Sequence, residues 1–211
     1  MGYCVEVDQR TRRSPASGER KRDPERTKAR IIAAAIEEFG AHGYAATRTS
    51  DIAARAGVNK QLISYYFGGK EGLYREISGQ WHQTGGEMAS LDLPLADAVA
   101  GFVPRTPEMH SLGRLMVWEN MSEGTPDAGG TEFFQRQVSL LRERQAAGEI
   151  PADLDPECLL IALMAMGSAS LVLPQVVRQV TGSDPASESF SSRYAEQLAR
   201  LVRHLAGGTD G

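Results

Sequence analysis

Cysteine is scarce in this sequence. Cys4 and Cys158 are the only two in 211 residues, and no Cys-x-x-Cys pair exists, so a disulfide framework is excluded. The four histidines, His42, His82, His110 and His204, are scattered and give no His-x-x-x-His zinc spacing. A Gly-x-Ser-x-Gly nucleophile turn is also missing, and Cys158 lies in the most apolar stretch, where a thiolate is disfavoured. Catalysis, a bound metal and a cofactor are therefore not expected. Long hydrophobic runs are missing as well. The first 30 residues are polar, which reads as no secretory signal. The longest mainly apolar run, Cys158 to Leu173, is interrupted by Gly167, Ser168 and Ser170 and falls short of the roughly 20 residues that cross a bilayer. No membrane partner is expected, and the expected location is cytoplasmic.

What is present is average in kind but uneven in place. Hydrophobic residues make up 41% and charged residues 24%, as in folded globular chains. Residues 1–80 carry 14 Lys and Arg against 10 Asp and Glu, whereas residues 81–211 carry 9 against 17. A basic beginning joined to an acidic remainder suits a chain of which only one end meets a polyanion, although solvated surface charge gives the same count.

The chain divides by its helix signals. Residues 1–22 read as a flexible basic arm, with Ser14-Pro15, Ser17-Gly18 and Arg20-Lys21-Arg22 and little apolar periodicity. Asp23-Pro24-Glu25 then resembles a helix start: a capping Asp, a Pro at the first helical position and a Glu at the positive end of the dipole. Ile32, Ile36 and Phe39 follow at helical spacing, and Gly40 with Gly43 is expected to close that helix. Short helices are expected from Thr49, as N-cap, to Ala56, onward to Phe67, and from Lys70 to about Gln80. Larger ones are expected near 94–104, 109–122, 130–147, 156–180 and 187–206, with Asp155-Pro156-Glu157 repeating the start signal. No segment alternates with period two. The expectation is an all-α chain, with a three-helix unit over 23–80 and a larger helical bundle over 81–211.

The informative stretch is Thr49 to Phe67, TSDIAARAGVNKQLISYYF. Ile52, Ala56, Val58, Ile63 and Tyr66 bury one face of two helices, Ala53 permits a close crossing, and Gly57 permits a sharp turn. The opposite face of the second helix carries Asn59, Lys60, Gln61 and Ser64, groups suited to base edges in a major groove. An ordinary helical hairpin with a polar outer face has the same spacing, so the flank matters. Lys70 opens a helix where the dipole disfavours a cation, which makes sense if that terminus faces a phosphate. Gly68-Gly69-Lys70-Glu71 is not a nucleotide-binding loop: residue 64 is not Gly, and Glu71 replaces the required Ser or Thr.

Phe39, Gly43-Tyr44, Thr49, Ile52-Ala53, Ala56-Gly57-Val58, Tyr66-Phe67, Lys70 and Leu73 together resemble the DNA-binding domain of the TetR/AcrR family of regulators. The resemblance implies a homodimer on double-stranded DNA with a palindromic operator. It implies that Thr49, Tyr65, Tyr66 and Lys70 hold phosphates, and that Ser50, Asn59, Lys60, Gln61 and Ser64 face bases, with Lys60 a guanine contact. Ser64 departs from the pattern, which commonly has a Tyr there, so Tyr65 and Tyr66 take over that role.

In the second part, the stretch from Pro156 is apolar on nearly every side, and Tyr194, Leu198, Leu201, Val202 and Leu205 form a stripe. Both resemble the family's four-helix dimer interface, while intrachain core is the alternative. Phe102, Met109, Met116, Trp118, Phe134 and Met164 are the candidate lining of a pocket for a small apolar or aromatic effector, with Met121, Phe133 and Met166 nearby in kind. His110 and Glu119 are candidate polar contacts, with an ordinary surface histidine the plainer reading of His110. A regulator without an effector, or an activator in place of a repressor, shares this fold; release of DNA by a ligand separates these.

Overall fold

The computed structural model describes residues 17–90, 92–121 and 129–206. It contains eleven α-helices and no strand among the described residues. The chain runs through α1 (Ser17–Ala46), α2 (Thr49–Ala56), α3 (Gln61–Phe67), α4 (Lys70–Met88), α5 (Leu95–Gly101) and α6 (Pro107–Met121). It continues with α7 (Gly130–Ala146), α8 (Pro156–Gly167), α9 (Ala169–Val172), α10 (Pro174–Thr181) and α11 (Glu188–Ala206). The all-α expectation is met.

Two apolar cores organise these helices. The first gathers Ile31, Ala35 and Phe39 of α1 with Ile52 and Ala53 of α2, Ile63 of α3, and Leu73, Tyr74 and Ile77 of α4. Each large side chain buried this way contributes about 1.5–3 kcal/mol. The rings of Phe39, Tyr44 and Tyr74 meet with centroids 4.8–6.0 Å apart, tilted or edge-on. Leu115 of α6 belongs to the same core, so the first core reaches past residue 80. The second core joins Val99 and Val103 to Leu141, Ile150, Leu163, Leu198 and Val202. Arg144, buried in α7, donates to the Glu149 carboxylate and to the carbonyls of Ser90 and Leu93, and Glu149 Oε1 accepts from Leu95 N at 2.7 Å. That network fastens the connection between α4 and α5 onto α7.

Several boundaries differ from expectation. α1 begins at Ser17, inside the stretch read as an arm to residue 22; residues 1–16 lie outside the described residues. Pro24 sits within the helix, where it removes a single backbone hydrogen bond that the surrounding turns span. Gly40 does not end α1. The interruption comes at Gly43, whose φ of 75° lies in the left-handed region, and Thr47 Oγ1 donates to the carbonyls of Gly43 and Glu38 at 2.8 and 3.1 Å. Thr49 is the first helical residue of α2, and Arg48 holds the N-cap position. α4 extends eight residues beyond Gln80. The single helix expected over 156–180 is three: α8 stops at Gly167-Ser168, and Leu173-Pro174 separates α9 from α10. Proline disfavours helical backbone at the residue before it, which accounts for the second break. The start of α8 is as expected, with Asp155 Oδ1 accepting from the backbone N–H groups of Glu157 and Cys158.

Candidate functional site

The turn between α2 and α3 is built by three devices. Gly57 takes a left-handed conformation (φ 63°), which lets Val58 N donate back to Ala53 O at 3.0 Å. Arg30 of α1 reaches across and donates through Nη2 to the carbonyls of Ala56 and Gly57, satisfying the end of α2. Asn59 Oδ1 accepts from Gln61 N at 2.9 Å and caps the start of α3. Arg55 fixes α2 to α1 through Glu38 and Glu37, each at 2.6 Å. The angle between α2 and α3 is thereby held by side chains from α1 as well as by the core.

This arrangement leaves Ser50, Asn59, Lys60, Gln61, Ser64 and Tyr65 exposed, and Thr49, Tyr66 and Lys70 half-buried. Gln61 and Ser64 of α3 share one outer face with Lys60 at its N-cap. The two tyrosines differ. Tyr65 is 78% exposed, whereas Tyr66 turns toward the first core, with Lys28 Nζ 5.9 Å from its ring centroid. Lys70 is not simply solvated: its Nζ lies 4.4 Å from the Tyr44 ring centroid and donates to Ala45 O at 3.3 Å. Burial lowers its pKa below the usual lysine value. The side-chain oxygen of Asn59 is engaged by Gln61 N, and its amide nitrogen stays on the exposed side chain.

Behind this unit, helices α4 to α9 line a partly open cavity of about 650 Å³. Phe102, Met109, Met116, Phe134 and Met164 are among the residues that line it. Trp118 is not. Its indole packs on α1, 3.5 Å from the position a β-carbon on Gly43 would take. The reason is helical phase: Met109, Gly113, Met116 and Asn120 recur on the cavity face of α6, and a residue two beyond Met116 points away. His110 is also outside the lining. It is buried in α6 with Nε2 unpaired, and desolvation, followed by the charge of Arg114, lowers its pKa. Glu119 does line the cavity.

Trp81, His82 and Gln137 also line the cavity and were not singled out in the sequence. Trp81 and His82 lie in the extension of α4 past its expected end near Gln80. Gln137 lies four residues from Phe133 on α7, a spacing that places both on one face. The His82 and Phe133 rings stack at 4.9 Å, and Trp81 meets Phe102 edge-on at 6.3 Å. A different set of apolar groups faces outward: Ile161 on α8, Leu173 between α9 and α10, Val176 and Val180 on α10, and Leu201 and Leu205 on α11. The expected stripe on α11 is therefore divided, since Leu198 and Val202 are buried in the second core.

Comparison with known proteins agrees with this geometry. The profile of bacterial regulatory proteins of the tetR family matches residues 31–77, and that of the tetracyclin repressor-like C-terminal domain matches residues 95–203. The HTH-type transcriptional repressor SCO4008 of Streptomyces coelicolor is 35% identical over 195 residues, covering 86% of this chain and 97% of its own. The HTH-type transcriptional regulator RutR of Escherichia coli O157:H7 is 29% identical over 200 residues, covering 88% of this chain and 93% of its own. Among solved structures, the TetR family protein CprB from S. coelicolor A3(2) superposes with a TM-score of 0.57 at 24% identity, over 84% of this chain and 97% of that one. These relatives are regulators of transcription and not enzymes. The chain belongs to the tetR family of bacterial regulatory proteins.

Proposed function

We propose that this regulator is a repressor that binds a palindromic operator as a homodimer and is released by a small apolar or aromatic effector. The observation that carries the reading is the outer face of α3, where Lys60, Gln61 and Ser64 stand exposed on a helix whose angle is fixed from α1. Lys60 is assigned to guanine, and Ser50, Gln61, Ser64 and the amide nitrogen of Asn59 to neighbouring base edges. Thr49, Tyr65, Tyr66 and Lys70 are assigned to phosphates, with Tyr65 the most freely presented. Functionally the chain divides into the arm (1–22), the DNA-binding unit (23–80) and the effector and dimer unit (81–211).

Ile161 on α8 and Leu201 and Leu205 on α11 are large apolar side chains left exposed in the single chain, which supports pairing with a second copy. Two-fold symmetry then places the reading helices about 34 Å apart, one turn of DNA. α4 begins beside α3 at Lys70 and carries Trp81 and His82 into the cavity, while α6 lines the cavity and packs against α1. An effector that fits one setting of α4 and α6 better than the other shifts the dimer away from the spacing DNA requires. Selection from a randomised duplex pool over a salt series tests the reading. An inverted repeat with half-sites about 10 base pairs apart is the expected product, and a pool left without enriched sequence overturns it.

A further inference from the structure

We propose that the effector is an uncharged aromatic molecule whose carbonyl oxygen accepts a hydrogen bond from the side-chain amide of Gln137. The proposal rests on the effector reading of the cavity given above. Gln137 lines the cavity and is 6% exposed, yet its Nε2 has no hydrogen-bond partner. A buried amide donor left unpaired is costly, and native structures rarely leave one so. Three other polar side chains on these walls are already engaged. Asn120 Nδ2 donates to Met116 O, the Ser168 hydroxyl donates to Met164 O, and the Arg144 guanidinium is held by Glu149 and two backbone carbonyls. Among the described residues of these walls, Gln137 is the one whose buried side-chain donor lacks a partner.

The chemistry of the partner follows. An amide N–H is met by an acceptor and not by an ammonium group. A carboxylate is disfavoured because the cation nearest in kind, Arg144, is buried and already neutralised by Glu149. The acceptor is therefore a neutral oxygen. It sits one helical turn from Phe133, whose ring stacks with His82, and the flanking Trp81 and Phe102 offer ring edges. Such walls suit a flat aromatic body, and the cavity volume lies in the range of small-molecule sites. The terminal torsion of a glutamine is broad, so the amide turns toward the cavity at little cost when an acceptor arrives.

The test uses three naphthalenes of similar shape, followed by tryptophan fluorescence and calorimetry on the full chain. They are 2-acetylnaphthalene, 2-isopropenylnaphthalene, in which CH₂ replaces the carbonyl oxygen, and 2-naphthoate. The ketone is expected to bind about 5- to 10-fold more tightly than the alkene, with the carboxylate weakest, as one hydrogen bond requires. Gln137→Leu is expected to bring the ketone down to the alkene's affinity while leaving the alkene unchanged or slightly improved. Equal affinity of ketone and alkene for the unmodified protein overturns the role of Gln137 and leaves the cavity reading standing; this arm does not depend on the variant folding. Preferential binding of naphthoate overturns the uncharged ligand. Failure of all three to bind removes the effector reading of the cavity, and the proposal with it.

Discussion

Gly40 and Ser111 are pressed together where α1 meets α6: a β-carbon on residue 40 would lie 2.4 Å from the Ser111 carbonyl oxygen. Backbone cannot yield at that distance without moving a helix. Gly40→Ala is expected to destabilise the fold by about 1–3 kcal/mol. Gly79→Ala, on an open helical position with nothing within 4 Å, is expected to stabilise it by about 0.5–1 kcal/mol. Chemical denaturation of the two variants measures both; a neutral Gly40→Ala would contradict the tight α1–α6 contact.

His110 gives stability a dependence on pH. Burial, then the charge of Arg114, lowers its folded pKa below 6.5, with Asp184 opposing. Below pH 6.5 the unfolded chain takes up a proton that the folded chain resists, so stability falls as pH drops from 6.5 toward the folded pKa. Above 6.5 the effect is absent. The melting temperature of His110→Gln is expected to fall less between pH 7.5 and 5.5 than that of the unmodified chain, and identical slopes would remove His110 from the explanation.

Arg30 is a positioning residue for the reading helix, since it satisfies the carbonyls of Ala56 and Gly57 from α1. Arg30→Ala is expected to cost about 1–3 kcal/mol in stability through those unpaired groups. It should also weaken operator binding while altering few direct contacts. If operator affinity were unchanged in a folded variant, α1 would have no part in setting the angle of α3.

The outward apolar face provides the test of assembly. Ile161→Asp combined with Leu201→Asp places charges on two side chains that are 68% and 48% exposed in the single chain, so folding is expected to survive. Light scattering should report one chain per particle for the double variant and two for the parent. A double variant that stays dimeric would place the interface elsewhere.

The sequence spelled out some of this and concealed the rest for physical reasons. The α2–α3 unit is legible because its breaks are set by local chemistry: Gly57 and Gly68 both have positive φ, and the apolar spacing between them permits one packing. Asp155-Pro156 announces α8 truthfully, whereas the same pair at Asp23-Pro24 does not begin α1, since one missing backbone donor is tolerated inside a long helix. The breaks after Gly167 and Leu173 were hidden because a stretch apolar on every side has no period to interrupt. Trp118 and Gln137 show the same limit at the cavity. Residue type favours an aromatic, while helical phase sends Trp118 to Gly43 and puts the amide of Gln137 on the wall.

Lys60 on the outer face of α3 offers the most direct measurement of the central claim, that this face reads base sequence. Binding of the unmodified chain and of Lys60→Ala is compared on the selected operator and on a scrambled duplex at one fixed salt concentration. The expected result is a loss of about 1–3 kcal/mol on the operator, with little change on the scrambled duplex. An equal loss on both would make Lys60 a phosphate contact and would contradict base reading by this face.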